Sequence, residues 1–407
     1  MSPASRPKAP TLRRGSAAKV GMSAARLRNV ADLVRQWVDE GIAQTLEVLV
    51  ARRGVIVLHE VAGRLTTAAD APPTPLGAIF PVASITKPLT ATALMTLVEE
   101  GRVGLNRPVS QYLPEFTGEG KDAVLVRHLL THTSGLREED VEKYARGRSA
   151  TPAARPPDPT IHPLLHQYYA LRYDAPLWKP PGVEMSYADF NFELVGEIVR
   201  RVSGCALEEI GSSRIFRPLG MVDTTYCRAD VPAKRRVRGP PAPPDPLGIP
   251  DPLGQAIDDA ADTERISYGS GSAYSTAHDI AAFAQMFLNQ GTYGATRVLS
   301  PPSVGEMTRN QIPGIGSRYL SEVFPEASWG LGWSIHGTKT GFVGGLCSPG
   351  AFEHSGAGGT FLWADPKFEI VGIYFSATVR SYLPADSLRY WHSDLFMDAV
   401  TAAVEDP

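Results

Sequence analysis

The clearest strand signals in this chain lie at its two ends, and at each end they are joined to a helical segment. Near the N terminus, SAARLRNVADLVRQWVDEGIA sets Leu27, Val30, Leu33, Val34 and Val38 at three- and four-residue spacing, with Ser23 in an N-cap position. That spacing predicts an amphipathic helix. TLEVLVARRGVIVLHEVAG follows, two β-rich runs joined around Arg53 and Gly54, the pattern of an antiparallel hairpin. The C-terminal third repeats the theme in reverse: GTFLWADP and FEIVGIYFSA are separated by a turn at Asp365 and Pro366, and SLRYWHSDLFMDAVTAAV has helical periodicity. Helix and hairpin at one end, hairpin and helix at the other, predict one α+β domain in which an antiparallel sheet is flanked by N- and C-terminal helices.

The middle of the chain has a different character. Segments such as VRHLLTHTSGL and NFELVGEIVRRVSG are helical or irregular, and a mostly helical second domain is expected over 116–259. The sheet domain is then discontinuous, 23–115 and 260–407, behind a flexible polar tail at 1–22. Such a division suits 407 residues, given roughly 100–200 per domain. Residues 231–254 are dense in proline, which is excluded from helix interiors and central strands, so they read as an extended loop. DPLG occurs twice in it, too short a unit to define a repeat architecture.

Composition excludes more than it identifies. Forty Lys+Arg against forty-three Asp+Glu leave a net charge of −3, without the basic excess of a nucleic-acid binder. Cys205, Cys227 and Cys347 lie far apart with no CxxC pair, so reduced thiols are expected rather than a disulfide framework or a Cys-rich metal site. The first twenty residues hold no apolar run of secretory-signal length, and no later stretch approaches the eighteen apolar residues of a spanning helix. A cytoplasmic protein with no membrane partner is the expectation. His128 and His132 have the i,i+4 spacing of zinc ligands, but no adjacent carboxylate completes a site, and they read as polar or structural histidines; no metal is expected.

GxSxG, HExxH, the Walker pattern and GxGxxG after a strand are all absent. What remains is S-x-x-K. Ser84-Ile85-Thr86-Lys87 follows the apolar AIFPVA and opens PLTATALMTLVEEG, a helix ended by Gly101. On a helix, i and i+3 share a face, so the Lys87 ammonium can sit beside the Ser84 hydroxyl. A serine hydroxyl needs a nearby base to become a nucleophile, and lysine serves when burial or neighbouring positive charge lowers its pKa. A helix start also offers backbone N–H groups to a developing oxyanion. Two further copies, Ser5 to Lys8 and Ser16 to Lys19, lie in the polar tail, where no pocket is expected. Tyr187, before another amphipathic helix, offers a second proton carrier, and His354-Ser355-Gly356 leads into glycines and a strand, where a backbone N–H can approach a ligand closely.

In this order the segments resemble the serine β-lactamase and penicillin-binding-protein superfamily, in its class C, D-peptidase and family VIII esterase branch. The likeness runs from about residue 23 to 400. It is carried by VASITKPLTATALMTLVEEGRVGLNRPVSQYLPEF, VRHLLTHTSGL, PGVEMSYADFNFELVGEIVRRVSG, SAYSTAHDIAAFAQMFLNQG, WGLGW and the HSGAGG strand. The resemblance implies an active site in the groove between the sheet domain and the helical one. It implies Ser84 as the acylated nucleophile, Lys87 as its proton-handling neighbour, Tyr187 as the acceptor of the serine proton, and the backbone N–H groups of Ser84 and Ala357 as the oxyanion hole. Asp189, His354, Ser355 and Gly356 would contact substrate.

Two departures shape the substrate expectation. The usual Tyr-x-Asn reads Tyr187-Ala188-Asp189, and an ionised Asp189 accepts hydrogen bonds but donates none. HSG stands in place of KTG, so a permanent charge that would pair with a substrate carboxylate is missing; His354 is expected to be cationic only at the low end of the physiological range. Both favour a neutral ester. A true KTG at Lys339-Thr340-Gly341 precedes FVGG instead of the strand ending in WADP and reads as a decoy. The expectation is a cofactor-free serine hydrolase working through an acyl-enzyme: a carboxylesterase on small neutral esters, with a D-amino-acid peptidase or amidase, an acyltransferase or a weak β-lactamase as alternatives. The sequence leaves the oligomeric state open.

Overall fold

The computed structural model of the chain describes residues 9–148, 158, 160–239, 265–319, 322–339, 344–377 and 392–406. Most of the proline-dense loop, and Thr340 and Gly341, lie outside the described residues. The three cysteines are free.

The strands of the main sheet are β1 (Arg13–Arg14), β2 (Thr45–Arg52), β3 (Val55–Gly63), β4 (Ser334–Ile335), β5 (Phe352–Gly356), β6 (Thr360–Asp365) and β7 (Ile370–Ala377), ordered β1-β3-β2-β7-β6-β5-β4. All neighbours pair antiparallel except β1 with β3. The β2–β3 turn falls at Arg53 and Gly54, both left-handed with φ of 52° and 73°, which matches the right-handed twist of the flanking strands. β2 and β7 are buried along their whole length, because the sheet is covered on both faces.

Strand alternation divides the core. Leu49, Ala51, Leu362, Ala364, Val371, Ile373 and Phe375 point into a large cluster shared with α2 (Thr86–Glu99) and α7 (Ala277–Leu288). Leu46, Val48, Val50, Phe361, Trp363, Ile370 and Tyr374 point the other way, against α1 (Ala24–Asp39) and α8 (Ser393–Thr401). Gly372 stands opposite Trp363 on the neighbouring strand, and a Cβ there would come within 1.8 Å of the indole. The antiparallel sheet between terminal helices is therefore present. The helical remainder includes α3 (Val126–Leu130), α4 (Glu138–Arg148), α5 (Pro163–Arg172) and α6 (Asp189–Ser203).

Three details differ from the sequence reading. Residues 9–22, which read as tail, run along the sheet: β1 pairs with β3, Ala17, Val20 and Met22 are buried, and Met22 bridges to Val404. Three scattered apolar residues are too few to set up a period. Ser23 occupies the N-cap position of α1, but its side chain caps nothing. The C-terminal helix spans Ser393–Thr401 and ends before the last residues of its periodic segment, whose first residues, 387–391, lie outside the described residues.

Candidate active site

Lys87 and Ser84 meet because the chain makes a strained turn just before a buried helix. Ala83 has φ 45°, a left-handed conformation costly for a residue with a side chain. A 3-10 turn over Ala83–Ile85 then runs into α2. That helix is buried nearly all round, from Thr86 to Leu97, as the central helix of a core must be. Its threonines hide their hydroxyls locally: Thr92 donates to Pro88 O at 2.8 Å and Thr96 to Ala93 O at 2.8 Å. Strand β5 closes against the turn. A Cβ on Gly356 would meet Val82 O at 2.4 Å, so only glycine allows that approach, and Thr360 donates to the same carbonyl at 3.2 Å.

Within this frame the Lys87 ammonium donates to Ser84 Oγ at 2.9 Å and to Ser270 O at 3.0 Å. It also lies 2.6 Å from Asp189 Oδ1 and 4.9 Å from the centroid of the Tyr187 ring. Tyr187 shares hydrogen bonds with both Lys87 and Ser84. His132 stacks on Tyr187 with centroids 4.4 Å apart, and Trp329 and His354 stand 6.0 and 6.3 Å from it. Ser84, Lys87, Tyr187, Asp189 and His354 are thus brought together. Ser355 and Gly356 continue β5 past the turn that carries Ser84, and Ala357 is the exposed first residue beyond the strand. The other S-x-x-K copy among the described residues, Ser16 to Lys19, is exposed at both ends.

The electrostatics correct two expectations. Burial pulls the Lys87 ammonium down, but Asp189 and then Tyr187 outweigh it, and the net direction is up. Lys87 is therefore held as a cation rather than readied as a neutral base, because the residue two positions after Tyr187 is an anion. Burial lifts the Tyr187 hydroxyl above its ordinary value, with Lys87 opposing and Asp189 adding to the rise. His354 is pushed down to about 3 by burial and then by Lys87. It stays neutral across the physiological range and does not become cationic at its low end. Its Nδ1 lies 2.7 Å from Ser355 O, so that nitrogen carries the hydrogen.

Sequence reasoning assigned no role to Trp329 or Glu193 and read His132 as a polar or structural histidine. His132 adopts φ 55° and accepts from Ala188 N at 3.2 Å through Nδ1. It is a structural support for Tyr187, and among the described residues no group of histidine, cysteine and carboxylate side chains is arranged to hold a metal. His128 Nδ1 accepts from Leu125 N at 3.1 Å. The signals were the quoted segments THTSGL and WGLGW, whose meaning lies in ring contacts that spacing does not reveal. Lys339 donates to Ser334 Oγ at 2.7 Å and to Ser328 O at 3.2 Å, and lies over Trp329. His354, not Lys339, packs beside Tyr187.

Comparison with known proteins places this geometry. An uncharacterized protein of Mycobacterium tuberculosis (strain CDC 1551 / Oshkosh) is 29% identical over 354 residues, 81% of either chain. A penicillin-binding-protein homologue from Caulobacter crescentus superposes with a TM-score of 0.72 at 23% identity, covering 93% of this chain and 97% of that one. EstCE1, described as a hydrolase with promiscuous acyltransferase activity, superposes with a TM-score of 0.71 at 20% identity, covering 93% and 99%. At these identities the two structures speak for the fold. The sequence pattern of the β-lactamase family spans residues 30–393. No described helix is long and apolar enough to cross a membrane. With nine-tenths of its length inside that pattern, the chain belongs to the β-lactamase family and is a serine hydrolase.

Proposed function

We propose that this protein is a carboxylesterase acting on small neutral esters through an acyl-enzyme on Ser84. The observation that carries the reading is the charge of the site. Asp189 faces Lys87 at 2.6 Å, and the position usually filled by the lysine of the third motif holds a histidine kept neutral. A substrate carboxylate, as in a β-lactam or a D-peptide, would meet the Asp189 carboxylate and, at the third-motif position, a neutral ring in place of a cation; an uncharged ester meets no such repulsion.

In this reading Ser84 Oγ attacks the ester carbonyl and its proton passes to the Tyr187 phenolate, which the adjoining Lys87 ammonium favours electrostatically. The backbone N–H groups of Ser84 and Ala357 receive the oxyanion. Tyr187 returns the proton to the departing alkoxide and the alcohol leaves; the same residue then draws a proton from the water that attacks the acyl carbonyl and passes it to Ser84 Oγ as the acyl–oxygen bond breaks and the acid is released. The reaction is expected in a cytoplasm, on a small ester or amide and without nucleic acid or membrane as partner. The likeness to EstCE1 supports acyl transfer to an alcohol as a second outcome of the same acyl-enzyme.

The test is hydrolysis of p-nitrophenyl butyrate by wild type and Ser84→Ala, with intact-mass detection of the acyl adduct. Ser84→Ala is expected to lose roughly 10³-fold or more in kcat and to carry no adduct. Equal turnover in both proteins sinks the proposal. A chromogenic cephalosporin turned over faster than the ester would move the substrate class to lactams.

A further inference from the structure

Glu193 lies one helical turn beyond Asp189 on α6 and is fully buried. Its Oε1 accepts from Ser270 N at 3.2 Å, and its Oε2 accepts from Gly269 N at 3.3 Å and from the Tyr169 hydroxyl at 3.4 Å. The two residues it holds by their amides face α2 with their carbonyls. Ser270 O accepts from Lys87 Nζ at 3.0 Å, and Gly269 O accepts from Thr90 Oγ1 at 2.9 Å. The segment also has no slack: a Cβ on Gly269 would meet Phe192 O at 2.0 Å, and one on Gly196 would meet Gly269 Cα at 3.2 Å. Two consecutive residues are therefore held through their amides by one carboxylate, and the second of them offers its carbonyl, in the next peptide unit, to the catalytic ammonium.

We infer that Glu193 is a positioning residue, which through the Gly269–Ser270 backbone fixes the direction in which Lys87 presents itself to Ser84 and Tyr187. The inference rests on the acyl-enzyme reading of Ser84 and Lys87. If Ser270 O shifts, Lys87 keeps Asp189 as its pair but loses the third contact that stops it swinging away from Ser84 Oγ. Misplacement of a reacting group by about 1 Å costs roughly 10²-fold in rate.

The clamp is also sensitive to protons. Burial lifts the Glu193 carboxyl to about 7; its bonds from Ser270 and Gly269 and the charge of Lys87 oppose that rise, and Asp189 adds to it. The other titratable groups that face it are Tyr168 and Tyr169 of α5. When ionised, both oxygens accept. A proton on Oε2 can be donated to the Tyr169 oxygen, which turns from donor to acceptor, and the neutral carboxyl is then a weaker acceptor for both amide N–H groups. The sign for global stability is the opposite: a carboxyl raised in the fold favours the folded state more as pH falls toward its unfolded value, so the lost activity is not unfolding.

The experiment compares full-length wild type with Glu193→Gln, which keeps the shape and supplies only one acceptor oxygen. Two quantities are followed from pH 5.5 to 8.5: the acylation burst with p-nitrophenyl butyrate, and amide exchange over 266–276 corrected for its intrinsic pH dependence. Expected are a 10- to 100-fold slower burst in Glu193→Gln with KM within about threefold of wild type, and loss of the acid limb near neutrality. Exchange over 266–276 should rise in the variant, and in wild type at low pH, while β2 and β3 stay protected. A burst of wild-type rate and pH profile in Glu193→Gln overturns the inference. So does flat exchange over 266–276 in wild type from pH 5.5 to 8.5, a result available even if the variant does not fold. If wild type itself forms no acyl-enzyme, the functional reading fails while the exchange measurement still decides the clamp.

Discussion

Asp189 and Tyr187 divide the proton chemistry of the site between them, and their environments set its pH range. Because Asp189 keeps Lys87 charged, the deprotonated base of the proposed mechanism is the phenolate of Tyr187, which burial makes harder to form. A base active in its deprotonated form, with its value raised, gains activity as pH rises. We expect kcat/KM for a neutral ester to climb through pH 8 to about 9 in wild type. Tyr187→Phe should lower it by roughly 10²-fold or more and flatten that limb; a steady-state pH profile of both proteins checks this. Of these residues, Ser84, Lys87, Tyr187 and His354 were legible in the sequence because each sits in a segment of distinctive order. The charge state of Lys87 was not. It depends on a carboxylate one ångström-scale contact away, and sequence separation carries no such information. Glu193 was invisible for the same reason, since its partners Gly269 and Ser270 arrive from another part of the chain.

At the level of elements, α5 meets α6 through the Tyr168–Phe190 ring pair and the Tyr169–Glu193 hydrogen bond, and meets α4 through charge. The α4–α5 link is an ion pair buried at both ends: Arg172 grips Glu142 at 2.8 Å through each of two nitrogens, donates to Tyr168 O at 3.0 Å and stacks over the Tyr168 ring at 3.7 Å. Removing one partner strands the other charge in the core. Glu142→Ala is therefore expected to cost about 3–5 kcal/mol, read as a lower denaturant midpoint at unchanged slope. It should also slow ester hydrolysis only slightly at temperatures where the protein remains folded. Elements whose own sequence contained their reason were read well. The β2–β3 hairpin has a glycine where the turn needs positive φ, and α1 has a single apolar face. Residues 9–22 were misread because their burial comes from a partner strand, not from a pattern of their own.

For the molecule as a whole, the two ends of the sheet domain are sewn together by one side chain. Arg52, fully buried, donates to Val20 O at 2.7 Å, Gly21 O at 2.9 Å and Phe368 O at 2.8 Å, and it pairs with Asp406. Around it, Ser23 N bonds Ala403 O at 2.8 Å and Glu405 N bonds Gly21 O at 2.9 Å. Arg52→Ala takes the Arg52 donor from Val20 O, Phe368 O and Asp406 O, leaves Gly21 O with Glu405 N alone, and is expected to cost at least about 3 kcal/mol, measured as a shift of the equilibrium unfolding midpoint. The discontinuous sheet was legible from the mirrored ends, but its latch was not, because a lone arginine in a strand looks like a solvent-facing residue. The pairing of β2 with β7 has a further consequence for how the protein comes to exist. β2 is made early and β7 late, so on the ribosome Thr45–Arg52 has β3 for one edge while its other edge waits unpaired until Ile370–Ala377 has emerged. Ser84 is synthesised long before the strand that closes on its turn, and a translation product halted ahead of β5 would contain the nucleophile without the wall it works against.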